Sequence, residues 1–190
     1  RQGTTQLVLV MSELHQRAGR PDQALATYTD WLGKHPEDLR ARFAYGSQLQ
    51  QQGKAALAVS EYLKVMEKEP KNLVALKNLV WLLQESGDAR ARDYAEKLAA
   101  LEPQLPEIQD TLGWVLVQQN QTERGLLYLE KANSAAPKVP EIRYHLAVAY
   151  DRSGRGADAK SLLDKLLFEA PSFDGRTDAE ALQRKLSGAN

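Results

Sequence analysis

The chain has 190 residues, enough for one ordinary domain or one short repeat array. Hydrophobic residues make up 43% and charged residues 26%, and 25 basic side chains balance 25 acidic ones, so no overall field draws the chain to nucleic acid or an anionic membrane. The absence of cysteine excludes disulfides, zinc–thiolate sites and cysteine nucleophiles, and no run approaches the roughly 20 apolar residues of a membrane span.

The prolines set a period. Pro36, Pro70, Pro103, Pro137 and Pro171 follow one another at intervals of 34, 33, 34 and 34 residues. Seventeen residues before four of them stands a turn residue, namely Gly19, Gly53, Asn120 and Gly154. Gly87 stands sixteen before Pro103, which accounts for the single short interval. A fixed period of this length is the mark of a repeat architecture. The units begin near Thr5, Leu39, Leu73, Pro106 and Pro140, giving segments 5–38, 39–72, 73–105, 106–139 and 140–171, with a capping helix and tail over 172–190.

Along the chain, the first unit opens on Leu7, Val8, Leu9, Val10 and Met11, apolar all round as in a helix packed on both sides. That pattern predicts further repeats ahead of Thr5, with self-association through this uncapped surface as the alternative. The chain opens at Arg1 without a signal-peptide pattern, which predicts a processed product or an excised fragment. In the fourth unit Ile108, Leu112, Val115 and Leu116 follow the i, i+4, i+7, i+8 spacing of one buried helix face. After the turn, Leu126, Leu127, Leu129 and Ala132 form a second stripe. The fifth unit repeats the scheme with Ile142, Leu146 and Tyr150, then Ala159, Leu162, Leu163, Leu166 and Leu167. Pro106–Glu107 and Pro140–Glu141 suit a first helical turn, where proline's missing N–H costs nothing and glutamate complements the helix dipole. The closing segment places Thr177 and Glu180 at capping-box spacing, then Ala179, Leu182 and Leu186 on one apolar stripe. It predicts a lone amphipathic helix covering the last repeat.

This pattern resembles the tetratricopeptide-repeat (TPR) family over residues 5–171. With Pro36 as position 32 of its unit, position 8 holds Ser12, Gly46, Val80, Gly113 and Ala147, and position 20 holds Ala24, Ala58, Ala91, Gly125 and Ala159. Position 24 holds Tyr28, Tyr62, Ala95, Leu129 and Leu163. Small residues at positions 8 and 20 let paired helices approach closely. The resemblance implies an all-α, right-handed solenoid of five helix–turn–helix repeats with a C-terminal capping helix. It also implies a concave groove lined by positions 2, 5, 6, 9, 12 and 13 of each first helix. Those positions include Phe43, Ser47, Lys77, Asn78, Trp81, Asp110, Trp114, Tyr144, His145, Val148 and Arg152, the candidate partner-binding residues. Trp81 and Trp114 share position 9 of adjacent units, which makes them candidate anchors, since aromatic side chains are enriched at binding hot spots. The Lys and Asn pairing by which carboxylate-clamp TPR domains grip chaperone tails is absent: the position 5 and 9 pairs are Leu9/Glu13, Phe43/Ser47, Lys77/Trp81, Asp110/Trp114 and Tyr144/Val148.

Nothing in the sequence points to an enzyme. His15, His35 and His145 are isolated, without the spacing of a metal site, and no phosphate-binding, dinucleotide or nucleophile-elbow motif occurs. No catalytic residue, metal or cofactor is expected. The last third, with "LGW", "PEIRYHLA" and a short final helix, resembles the C-terminal end of bacterial TPR lipoproteins linked to exopolysaccharide and PEP-CTERM protein-sorting loci. That resemblance implies a periplasmic or outer-membrane-associated scaffold with a lipid anchor upstream of this segment. The expectation is a protein or peptide partner in the groove. A carbohydrate stacked on Trp81 and Trp114, or a cytosolic adaptor role, stands as the alternative.

Overall fold

A computed structural model describes residues 2–188; residues 189–190 of the expected tail lie outside the described residues. Among those described, the chain is helical throughout, with no strand. Eleven helices run in order: α1 (Gln2–Arg17), α2 (Pro21–Lys34), α3 (Leu39–Gln51), α4 (Ala55–Lys68), α5 (Leu73–Glu85), α6 (Ala91–Leu101), α7 (Pro106–Gln118), α8 (Thr122–Ala135), α9 (Pro140–Arg152), α10 (Gly156–Glu169) and α11 (Arg176–Leu186). They form two compact units, one running up to Asp88 and one from Ala89 onward.

Each first helix ends in the same way. Gly19, Gly53, Gly87 and Gly154 take φ between 68° and 81°, and Asn120 takes 59°. The next residue's N–H then reaches back to the carbonyl five residues earlier. Arg20 to His15, Lys54 to Leu49, Asp88 to Leu83, Gln121 to Leu116 and Arg155 to Tyr150 all bond at 2.8–2.9 Å. This is the Schellman closure, which needs a residue at home in the left-handed region. Asparagine tolerates that region better than other non-glycine side chains. Each second helix that precedes a repeat proline stops one residue before it, at cap residues His35, Glu69, Glu102, Ala136 and Ala170. The first helix that follows, in α3, α5, α7 and α9, is then started by a side-chain cap or a proline. Asp38 accepts from the Ala41 N–H at 3.0 Å and Asn72 from the Ala75 N–H at 3.1 Å. Pro106 and Pro140 open α7 and α9 at the first turn.

In the first unit α1 packs on α2, α2 on α3, α3 on α4 and α4 on α5. Its core includes Leu49, Tyr62, Val65, Leu76, Leu79 and Leu83, all buried. Arg42 and Glu61 form a largely buried ion pair at 2.6 Å that ties α3 to α4. In the second unit each helix from α6 to α11 likewise packs on the one before it, apart from the α6 start of the unit. One core cluster joins Val117, Leu126, Leu129, Leu146 and Ala149. A second joins Ala147, Leu163 and Leu166 to Ala179 of α11, with Leu182 and Leu186 at its margin.

The closing helix lies where its apolar stripe predicts, but it starts differently. Thr177 is inside the helix and not at its cap, which is Gly175 with φ 91°. The Thr177–Glu180 capping box therefore does not form. Glu180 pairs with Arg176 at 2.9 Å instead. A methyl group on Gly175 would sit 3.1 Å from the Tyr144 ring, so the tight chain entry over that ring selects glycine at the cap.

Candidate partner-binding walls

The candidate residues fall on the first helices of both units. In the first unit, α3 supplies Phe43 and Ser47, and α5 supplies Lys77, Asn78 and Trp81. Tyr62 of α4 organises them from below. Its ring centroid lies 5.7 Å from that of Phe43. Its hydroxyl accepts from Asn78 Nδ2 at 2.9 Å and donates to Gln50 Oε1 at 3.1 Å. Burial pushes the Tyr62 phenol above its ordinary pKa, and the hydrogen bonds with Asn78 and Ser47 offset only part of this. Asn78 is thus a fixed strut and not a loose surface amide.

Trp81 stands clear of this network. It is 52% exposed, while its helix neighbours Leu79, Val80, Leu82 and Leu83 are buried. Seven residues earlier on the same helix, Val74 is also exposed, with Lys77 exposed between them. Val74 occupies position 2 of the repeat and belongs to this wall, although a valine draws no notice by residue type. An open indole and an open isopropyl group about 10 Å apart along one helix, by the 1.5 Å rise per residue, make a hydrophobic ledge with a cation in its middle.

The wall of the second unit is built otherwise. Asp110 of α7 accepts from His145 Nδ1 of α9, with that nitrogen 2.9 and 3.0 Å from its two oxygens. A carboxylate can only accept, so this contact puts a proton on Nδ1. The His145 ring in turn stacks on Trp114, with centroids 4.2 Å apart and planes 13° from parallel. Tyr144 leans on both, at 6.3 Å from Trp114 and 5.9 Å from His145. Trp114 is half-buried and packs, with Val148, against the core cluster below. Arg152 donates to the Val117 carbonyl at 2.8 Å and to Gln118 Oε1 at 3.1 Å, tying α9 back to α7. Burial raises the Tyr144 pKa, Asp178 adds to the rise, and Arg152 opposes it.

The two tryptophans at position 9 are therefore unlike each other. Trp81 offers an open ring, whereas one face of Trp114 is already taken by His145. His35 caps α2 and lies against Trp31 with centroids 3.7 Å apart. Among the described residues no group of three or more His, Asp or Glu side chains gathers in a way that could hold a metal ion. No described helix is long and apolar enough to cross a membrane.

Paired helices closed by glycine turns, with side chains of successive first helices forming a wall, define a helical-hairpin repeat protein. Two family models, each described as a tetratricopeptide repeat, match residues 9–72 and 116–186, well over half of the chain together. These two stretches are tetratricopeptide repeats. A curated TPR repeat-containing protein of Pseudomonas aeruginosa is 26% identical over 129 residues. That match takes in 67% of this chain but only 22% of the relative, so the chain spans about a fifth of its length.

Among solved structures, the fold is similar to MamA from Desulfovibrio magneticus RS-1, with TM-score 0.79 and 22% identity over 90% of this chain and 97% of that one. A tetratricopeptide repeat protein from Parabacteroides merdae superposes with TM-score 0.85 at 18% identity, covering 98% and 75%. YrrB, described as a TPR protein with an unusual peptide-binding site, gives TM-score 0.76 at 17% identity over 92% and 90%. These likenesses establish an all-α fold of the TPR solenoid type.

Proposed function

We propose that the chain is a non-enzymatic interaction scaffold that holds a peptide or protein segment against its first helices, with Trp81 as the principal anchor. The observation that carries this reading is the 52% exposure of Trp81 on a helix whose neighbouring large residues are buried. Leaving an indole in water forgoes a large hydrophobic gain, and aromatic side chains so placed are the usual centres of binding hot spots. Phe43, Ser47 and Asn78 flank it on a wall that Tyr62 holds rigid, which lowers the entropy lost when a partner docks. The second wall, with Trp114, Tyr144, His145, Val148 and Arg152, is pre-organised by its own contacts and offers ring edges and polar tips. The likeness of the last third to bacterial envelope TPR lipoproteins supports a setting in exopolysaccharide or protein-export assembly.

The test is a peptide-display selection on the wild-type chain, followed by titration of the selected peptides against Trp81→Ala. The expected result is a loss of about 30-fold or more, the size of a hot-spot truncation of about 2 kcal/mol. Peptides that bind Trp81→Ala, Phe43→Ala and Trp114→Ala variants as tightly as the parent would refute the wall. Tryptophan emission that responds to oligosaccharides but to no selected peptide would replace the protein partner with a glycan.

A further inference from the structure

One polar atom on the wall of the second unit is left unused by the contacts that build that wall. His145 of α9 meets Asp110 of α7 through Nδ1, which lies 2.9 and 3.0 Å from the two carboxylate oxygens. Asp110 is 8% exposed, and a carboxylate so far from water needs a partner. The pairing also fixes the ring. The carboxylate keeps a proton on Nδ1, and the Trp114 indole, 13° from parallel, holds the plane. The opposite nitrogen, Nε2, has no hydrogen-bond partner among the described residues, and it is open to solvent on a side chain 19% exposed. In this tautomer Nε2 bears a lone pair and accepts.

A tie between α7 and α9 needs no such atom. Arg152 already makes one through the Val117 carbonyl and Gln118, and a tie through His145 uses Nδ1 alone. The charges around the ring give the open nitrogen a preference. Asp110 backs the imidazole, and Asp178 adds negative charge at the neighbouring Tyr144. Arg152 opposes Asp178 there, but its guanidinium is engaged by Val117 and Gln118. An incoming carboxylate or phosphate meets a lone pair with a carboxylate behind it, whereas an N–H or O–H meets an acceptor. We propose that His145 determines specificity on this wall: its Nε2 accepts a hydrogen bond from an N–H or O–H group of the bound peptide and turns anionic groups away. Asp110 and Trp114 act through it as positioning residues, the first setting the tautomer and the second the plane. The inference rests on the reading of the chain as a scaffold that holds a peptide segment.

Two measurements test this. In the free chain at neutral pH, long-range proton–nitrogen NMR correlations of the His145 ring are expected to show Nδ1 protonated and Nε2 bare. Asp110→Asn, whose amide can donate to Nδ1, is expected to let the proton pass in part to Nε2. The binding probes are peptides selected by display on the wild-type chain. They are titrated against His145→Asn, which keeps a donor near the place of Nδ1 but ends short of Nε2, and against His145→Gln, which reaches the place of Nε2. Both variants lose the stack on Trp114, so the difference between them isolates the open nitrogen. His145→Asn is expected to weaken binding about tenfold, and His145→Gln by no more than about threefold. Methylating the peptide nitrogens one by one, and replacing the peptide side chains by alanine, shows whether the donor is backbone or side chain. A free ring that carries a proton on Nε2 overturns the proposal. So do equal affinities for the Asn and Gln variants, or a loss traced to a carboxylate of the peptide. If Trp81→Ala still abolishes binding in those cases, the scaffold reading stands and only this inference falls. A selection that yields no peptide refutes the scaffold reading, and the inference with it.

Discussion

Gly113 of α7 and Gly125 of α8 face each other so closely that neither has room for a methyl group. A Cβ on Gly125 would lie 2.7 Å from the Gly113 carbonyl oxygen, and one on Gly113 3.0 Å from that of Gly125. Leu129 and Val117 close the remaining space at 2.7 and 2.6 Å. Gly125→Ala is accordingly expected to destabilise the chain by about 1–3 kcal/mol, the range for overpacking a tight core. Gly33 provides the control. It lies within α2 with nothing within 4 Å of its Cβ direction, so Gly33→Ala is expected to stabilise by about 0.5–1 kcal/mol. Urea unfolding of the two variants should move the midpoint in opposite directions; a shared direction would contradict the packing argument.

The Asp110–His145 contact predicts a coupling between two repeats. His145→Ala leaves a carboxyl group that is 8% exposed without its ring partner, at an expected cost of about 1–3 kcal/mol. A double-mutant cycle with Asp110→Ala is expected to return a coupling of at least about 0.5 kcal/mol. Strict additivity of the two changes would mean that the contact contributes nothing.

Asp38 predicts an acid-sensitive part of the stability. Burial alone would raise its pKa, but bonds from the N–H groups of Ala41 and Arg40, the Thr5 hydroxyl and the Trp31 indole outweigh burial and hold it below the ordinary carboxylate value. Thr5 Oγ1 lies 2.7 Å and Trp31 Nε1 2.8 Å from Oδ2. A depressed folded-state pKa stabilises fully above the unfolded value and is lost as pH falls through the folded one. Asp38→Ala is expected to cost about 1 kcal/mol or more near neutral pH through the lost cap of α3, and less as the pH approaches 3. Thermal unfolding of both chains between pH 7 and pH 3 measures this; a gap that widens toward acid would reverse the assignment.

The two wall tryptophans should separate binding from stability. Trp81→Ala removes an exposed ring and is expected to change stability by less than about 0.5 kcal/mol. Trp114→Ala removes the ring on which His145 stacks and part of a core margin, with an expected loss of about 2 kcal/mol or more. Equal denaturation midpoints for the two variants would show that the stack is not a structural contact.

Much of this was legible in the residues themselves. The period of prolines and the glycines ahead of them locate the turns because each residue performs one local task there: proline denies a helix its donor, and a left-handed residue closes the previous one. Positions 8 and 20 were equally plain. The pair is Gly113 and Gly125 in the fourth repeat, Gly46 and Ala58 in the second, and Ser12 and Ala24 in the first, where the Ser12 hydroxyl donates to the Ala24 carbonyl at 3.1 Å. Small size is the requirement, and it shows in the residue type.

The start of α11 was not legible. Thr177 and Glu180 have capping-box spacing, yet the chain enters α11 through Gly175 at φ 91°, with a Cβ there 3.1 Å from the Tyr144 ring, and that ring lies 31 residues upstream of Gly175. The difference between Trp81 and Trp114 was hidden for the same reason. A repeat position assigns a side chain to a face, but which neighbour covers it depends on the residue one repeat further on, His145 in this case.

The seating of α11 has a consequence for motion. Ala179 is buried against Leu163 and Leu166, and Leu182 and Leu186 rest at the edge of that cluster. In a stack of hairpins each helix is held by its immediate neighbours, so the free energy of opening is set locally and not by the fold as a whole. The amides of α10 beneath α11 should then exchange with deuterium at a pace dictated by how often α11 lifts, while those of α7 and α8, locked by Gly113 and Gly125, stay dark far longer. The second unit would thus carry a gradient of persistence from α7 to α11, written by the eleven residues of that last helix.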